Sequence, residues 1–141
     1  MATATSQVAS QLQMLTTLLR RMFPHDKFPD GPYERAAAAI QQAGEEDPRQ
    51  AAQLAQGTRE LEARGFADLD ADAALAYLKE ISGTVFFATV RSKFITTFYD
   101  DREVWGLLGY EIDSFAQGGY IGRGFDDLDW LPAARTEEAS A

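Results

Sequence analysis

The stretch TVFFATVRSKFITTFYD, Thr84–Asp100, decides how this chain folds. Its β-branched and aromatic residues argue locally for a strand, because such side chains fit a pleated, half-buried surface. Its spacing argues for a helix. Val85, Phe86, Val90, Phe94, Ile95 and Phe98 recur mostly at intervals of three and four, the period of a helix face. The run is also far longer than a strand of about 5–6 residues. Read this way, Thr84–Asp100 is the central buried helix of a bundle, with Phe86, Phe87, Phe94, Phe98 and Tyr99 as core candidates.

Working back towards the N-terminus, the segments before it carry the same period. Ala74, Leu75, Leu78 and Ile81 mark one side of ADAALAYLKEI, opened by Asp70 as a cap. Asp47-Pro48 opens RQAAQLAQGTRELEAR, which ends before Gly65, and Pro32 opens YERAAAAIQQA, which ends near Gly44. From Gln7 to Phe23, the residues Val8, Leu12, Leu15, Leu18, Leu19 and Met22 describe a first helix, stopped by Pro24. Residues 1–6 are expected to fray. PHDKFPDGP is a turn-rich connection. Beyond Asp100, Asp101 caps a short helix, REVWGLLG, and regular periodicity ends near Tyr110. The sequence therefore predicts one all-α domain: a small helical bundle over about 7–110, an irregular Gly- and aromatic-rich arm over 111–132, and a disordered tail over 133–141. Leu15, Leu19, Phe86, Phe94 and Phe98 should lead the core.

Composition narrows the function. With 13 basic and 22 acidic residues, the net charge of −9 opposes binding to nucleic acid and to anionic lipid. There is no cysteine and one histidine, which excludes thiolate metal sites, iron–sulfur clusters and disulfides within the chain. No apolar run approaches the ~18–20 residues of a membrane span. No basic-then-apolar secretory leader is visible at the N-terminus, so the reading is cytoplasmic.

The motifs that could carry chemistry are weak. Asp68-Leu-Asp70-Ala-Asp72 alternates carboxylates as a calcium loop does, but Ala73 and Lys79 stand where that loop needs Gly and Glu. Capping of the next helix explains these acids better. His25-Asp26 could form a base and its orienting partner, yet no nucleophile accompanies it, and structural hydrogen bonding is the simpler role. Gly118, Gly119, Gly122 and Gly124 do not follow the dinucleotide fingerprint, and no strand precedes them. Asp126, Asp127 and Asp129 could gather a cation, but turn formation or salt bridges to a partner explain them equally.

The aromatic residues past position 104 say more. Trp105, Tyr110, Phe115, Tyr120, Phe125 and Trp130 lie where periodicity fades. Some should fold back, but so many rings are hard to bury in so small a domain, and amphipathic rings favour interfaces. The expected partner surface is Trp105, Tyr110, Tyr120, Arg123, Phe125, Asp126, Asp127 and Trp130. Glycine would let the arm follow that partner closely.

FYDDREVWGLLGY (Phe98–Tyr110) followed by GGYIGRGFDDLDWLP (Gly118–Pro132) resembles the C-terminal signature of the gluconate 2-dehydrogenase subunit 3 family. LLRRMFPHDKFPDGPY (Leu18–Tyr33) is similar to its N-terminal signature, with the P-x-D turn present as Pro24-His25-Asp26. The resemblance spans about residues 12–132. It implies a small, cofactor-free, non-catalytic subunit that stabilises an FAD-bearing large subunit of the glucose–methanol–choline oxidoreductase class. That partner would oxidise a sugar or alcohol, and a cytochrome c subunit completes some such complexes. Many members carry a twin-arginine leader. Here Arg20-Arg21 lies inside an amphipathic helix with no apolar stretch behind it, which favours a cytoplasmic complex, or a periplasmic one if a leader has been removed. Two other classes remain open on the residues alone. One is a helical adaptor unrelated to redox chemistry. The other is a small enzyme using Asp126, Asp127 and Asp129, with His25 as base.

Overall fold

The computed structural model describes residues 2–110 together with Gly118 and Gly119. The chain divides into two units, Met1–Tyr110 and Glu111–Ala141. The first holds α1 (Ala2–Met22), α2 (Gly31–Glu46), α3 (Pro48–Ala63), α4 (Ala71–Ile81), α5 (Val85–Phe98) and α6 (Arg102–Leu108), with one 3-10 turn at Phe66–Asp68. No strand occurs among the described residues. The all-α bundle expected from the 3.6-residue period is the fold. In the second unit, Gly118 and Gly119 have φ of 87° and 74°.

Side chains settle where most helices begin. Asp47 accepts from the Arg49 amide, Asp70 from that of Ala73, and Thr84 from that of Phe87. These bonds satisfy amides that a helix N-terminus leaves without partners. The Thr84 cap also resolves the ambiguity of Thr84–Asp100. Ser82 and Gly83 break the chain direction, α5 turns 109° from α4, and a capped helix starts where a strand would have needed a neighbour.

α2 is the hub, touching α1, α3 and α5. Its run Ala36–Ala39 explains this, because short side chains let neighbouring helices approach closely. Ala36, Ala37 and Ile40 are fully buried against Leu15, Leu18 and Leu19 of α1 and Val90, Phe94 and Phe98 of α5. Leu54 and Leu61 of α3, Phe66 of the 3-10 turn, Ala74 and Leu78 of α4, and Val104 of α6 close the rest. Each of the buried Leu, Ile, Val and Phe side chains contributes about 1.5–3 kcal/mol by leaving water.

Several sequence expectations need correction. α1 begins at Ala2, not near Gln7. Residues 6–10 are exposed, and Ser10 and the Val8 carbonyl are tied to Glu62 of α3 and Gln41 of α2. α5 is buried on one line only, and Val85 is exposed. Phe86 is half-buried, not at the centre of the core. The line Phe86–Val90–Phe94–Phe98 advances four residues at a time, and each step rotates by about 40° on a helix of 3.6 residues per turn. Phe86 therefore points about 120° away from Phe98 and meets α3 instead. On α4, Ala74 and Leu78 are buried but Leu75 is exposed, while Tyr77 packs against the 3-10 turn. Finally, Tyr99 is partly exposed rather than inward.

Candidate interaction surface and the turn beneath it

The connection between α1 and α2 is built by three residues from its two flanks. Arg20, in the last turn of α1, donates from Nε to Asp30 Oδ1 (2.8 Å), from Nη1 to the His25 carbonyl (3.2 Å) and from Nη2 to the Phe28 carbonyl (2.7 Å). Its guanidinium carbon lies 4.3 Å from the centre of the Tyr33 ring. A planar fork can hold several acceptors and stack on a ring at once, which a lysine cannot. Asp30 stands at the N-cap of α2 yet makes no cap hydrogen bond, because its carboxylate is turned back to Arg20. Tyr33 donates its hydroxyl to the Phe23 carbonyl at 2.6 Å, and burial pushes its phenol pKa upward. Arg21 holds the carbonyl of Leu69 at 2.8 Å. Both arginines are thus seated on main-chain carbonyls at the end of α1.

His25 belongs to this turn. Its ring stacks on Phe28 and Phe98 at centroid distances of 4.8 and 5.8 Å. Its Nε2 shares a hydrogen bond of 3.0 Å with the Tyr99 hydroxyl. Phe23 stacks on Phe94 at 4.4 Å, and Tyr33 contacts Phe98 at 4.7 Å. The proline-rich turn and the C-terminal half of α5 therefore share one aromatic cluster. His25 is held in this cluster by stacking and by one hydrogen bond.

α6 is fixed to α2 by a second arginine. Arg35 donates from Nε to Asp101 Oδ2 (2.6 Å), and from Nη2 to Asp101 Oδ1 (3.0 Å) and Glu103 Oε2 (2.6 Å). Asp101 Oδ1 also caps α6, accepting from the Glu103 amide at 2.8 Å and the Val104 amide at 3.4 Å. The Arg35 bond, the largest influence, and these amides hold the Asp101 carboxyl below its ordinary value of 3.8. A lowered native pKa means stability that is complete above the unfolded value and lost as pH falls through the native one. Arg35 is half-exposed, so water screens the pair and its contribution stays near 1 kcal/mol. Asp101→Asn keeps the cap but loses the charge. It is expected to lower the melting midpoint by about 2–4 °C at pH 7 and to leave it unchanged near pH 2. A constant difference at both pH values would show that Asp101 acts without its charge.

α6 ends at Gly109, whose φ of 72° lets the Tyr110 amide reach back to the Trp105 carbonyl at 2.8 Å. Only Val104 of this short helix is fully buried. Leu107 and Leu108 are 45% and 50% exposed, and Tyr110 is 72% exposed. Of the residues assigned to a partner surface, Tyr110 therefore stands in solvent. Trp105 is half-buried, with its indole N–H on the Tyr99 carbonyl at 2.6 Å. Tyr120, Arg123, Phe125, Asp126, Asp127 and Trp130 lie outside the described residues, as does Asp129. Leu107 and Leu108, not among the residues expected at a partner surface, are exposed beside Tyr110.

Elsewhere, Asp70 is the N-cap of α4, accepting from Ala73 at 2.8 Å. Among the described residues no three His, Asp or Glu side chains gather to hold a metal ion, and no single helix is long and apolar enough to cross a membrane. Comparison of the chain with protein families, with curated proteins and with solved structures finds no match.

Proposed function

We propose that this chain is the non-catalytic small subunit of a flavin-dependent sugar or alcohol dehydrogenase, docking onto and stabilising an FAD-bearing subunit of the glucose–methanol–choline class. Flavin and hydride abstraction belong to the partner in this reading. The support is the resemblance of Leu18–Tyr33 and Phe98–Pro132 to the gluconate 2-dehydrogenase subunit 3 signatures. The observation that carries it furthest is the apolar ledge of Leu107, Leu108 and Tyr110 at the end of the bundle. Large side chains left in water beside an aromatic-rich segment favour a protein partner.

Affinity purification of the tagged chain from its host is the test. The expected result is co-elution of a larger protein with the blue-region absorption band of flavin, and a large subunit that is poorly soluble or inactive when produced alone. A Leu107→Asp/Tyr110→Asp variant alters only exposed side chains and should fold, yet recover at least about tenfold less partner, as for loss of an interface hot spot. Full activity of the large subunit by itself, unchanged recovery by the variant, or partners without flavin would overturn the proposal. The last outcome would leave the helical adaptor.

A further inference from the structure

A second surface lies on the bundle, on the face where α1, α4 and α5 meet. A cleft of about 260 Å³ opens there. Met22, Leu75 and Phe87 supply apolar walls, and Leu75 is 51% exposed. Arg21, Lys79 and Arg91 stand around it, and no carboxylate lines it. Among the described residues, neither the Lys79 nor the Arg91 side chain makes a hydrogen bond or salt bridge. In a chain with a net charge of −9, three cations around one apolar cleft run against the overall balance. α5 itself carries Arg91 and Lys93 but no acidic residue. Cations gathered without counter-charges raise a local positive potential that selects what approaches. The cleft is smaller than the about 300–1,000 Å³ of small-molecule pockets, and fits one or two side chains of a peptide.

We infer that this cleft binds an acidic, apolar-bearing peptide segment of a partner protein. A leucine or phenylalanine would enter between Met22, Leu75 and Phe87, and flanking carboxylates would meet Arg21, Lys79 and Arg91. The inference is independent of the flavoprotein reading, since the ledge on α6 and this cleft share no residue.

Fluorescence anisotropy on the full chain tests it, using a labelled twelve-residue peptide of Leu, Phe and Glu, and a control with Lys in place of Glu. The acidic peptide is expected to bind at least about tenfold more tightly than the basic one, with affinity falling as salt rises. Lys79→Glu/Arg91→Glu, both on exposed helix faces, should reverse the preference. Leu75→Asp should weaken the acidic peptide at least about tenfold while leaving the circular dichroism spectrum unchanged. Equal binding of the two peptides, undetectable binding of both, or indifference to the charge reversal would overturn the inference.

Discussion

Arg20→Ala is expected to lower the melting midpoint of the bundle by about 6–12 °C, corresponding to about 2–4 kcal/mol at this chain length. The magnitude follows from what one guanidinium holds. It reaches the carbonyls of His25 and Phe28 and the carboxylate of Asp30 while lying on the Tyr33 ring. Hydrogen bonds from charged donors contribute about 1.5–3 kcal/mol each where they are partly sheltered. Stacking of a cation on tyrosine adds about 0.5–1 kcal/mol. These contributions are not additive, and the ion pair with the exposed Asp30 is screened, so the total falls well short of the sum. Removal would also leave the Phe28 carbonyl without its donor, while the His25 carbonyl would keep only the Phe28 amide.

Arg20→Lys separates charge from shape. An ammonium donates from one nitrogen and cannot both span these acceptors and lie flat on the Tyr33 ring, so lysine should recover less than half of the loss. The local readout is amide exchange at Phe28, whose N–H is bonded to the His25 carbonyl at 3.0 Å. Exchange there should accelerate more in the alanine variant than at Leu18 or Leu19 in the middle of α1. A lysine variant that melts with the wild type would show that charge alone holds the turn.

The contrast between α5 and this turn shows what a single sequence carries. The line Val90, Phe94 and Phe98 was legible because periodicity encodes a face, and Asp47, Asp70 and Asp101 mark helix starts through strictly local chemistry. The role of Arg20 was not legible. Its acceptors lie five to ten residues away, on a loop whose path the sequence leaves open, and an arginine at a helix end is commonly just a solvated charge. Tyr99 and Phe86 misled for a related reason. Aromatic residues on a helix announce burial, but which ring is deepest depends on the angle at which the neighbouring helix crosses. Tyr110, assigned to a partner surface, is exposed, whereas the exposure of Leu107 and Leu108 depends on how α6 is placed.

Gly57 gives the sharpest disagreement between local propensity and packing. In the middle of α3, glycine costs about 1 kcal/mol relative to alanine, so propensity alone predicts that Gly57→Ala stabilises the protein. The structure predicts the opposite. A Cβ at this position would stand 2.4 Å from Phe86 Cδ2 and 2.5 Å from Phe86 Cγ. Because Cγ is the root of the ring, rotating the ring about its own axis cannot relieve the contact. Either Phe86 must leave its rotamer or α3 and α5 must separate, and overpacking of this kind costs about 1–3 kcal/mol and occasionally more. We expect Gly57→Ala to lower the melting midpoint by up to about 6 °C after the propensity gain is subtracted. In a Phe86→Ala background the ring is gone and the same substitution should become neutral or raise the midpoint. This change of sign is the decisive measurement, because a backbone effect at Gly57 would be the same in both backgrounds, whereas a steric one vanishes with the ring.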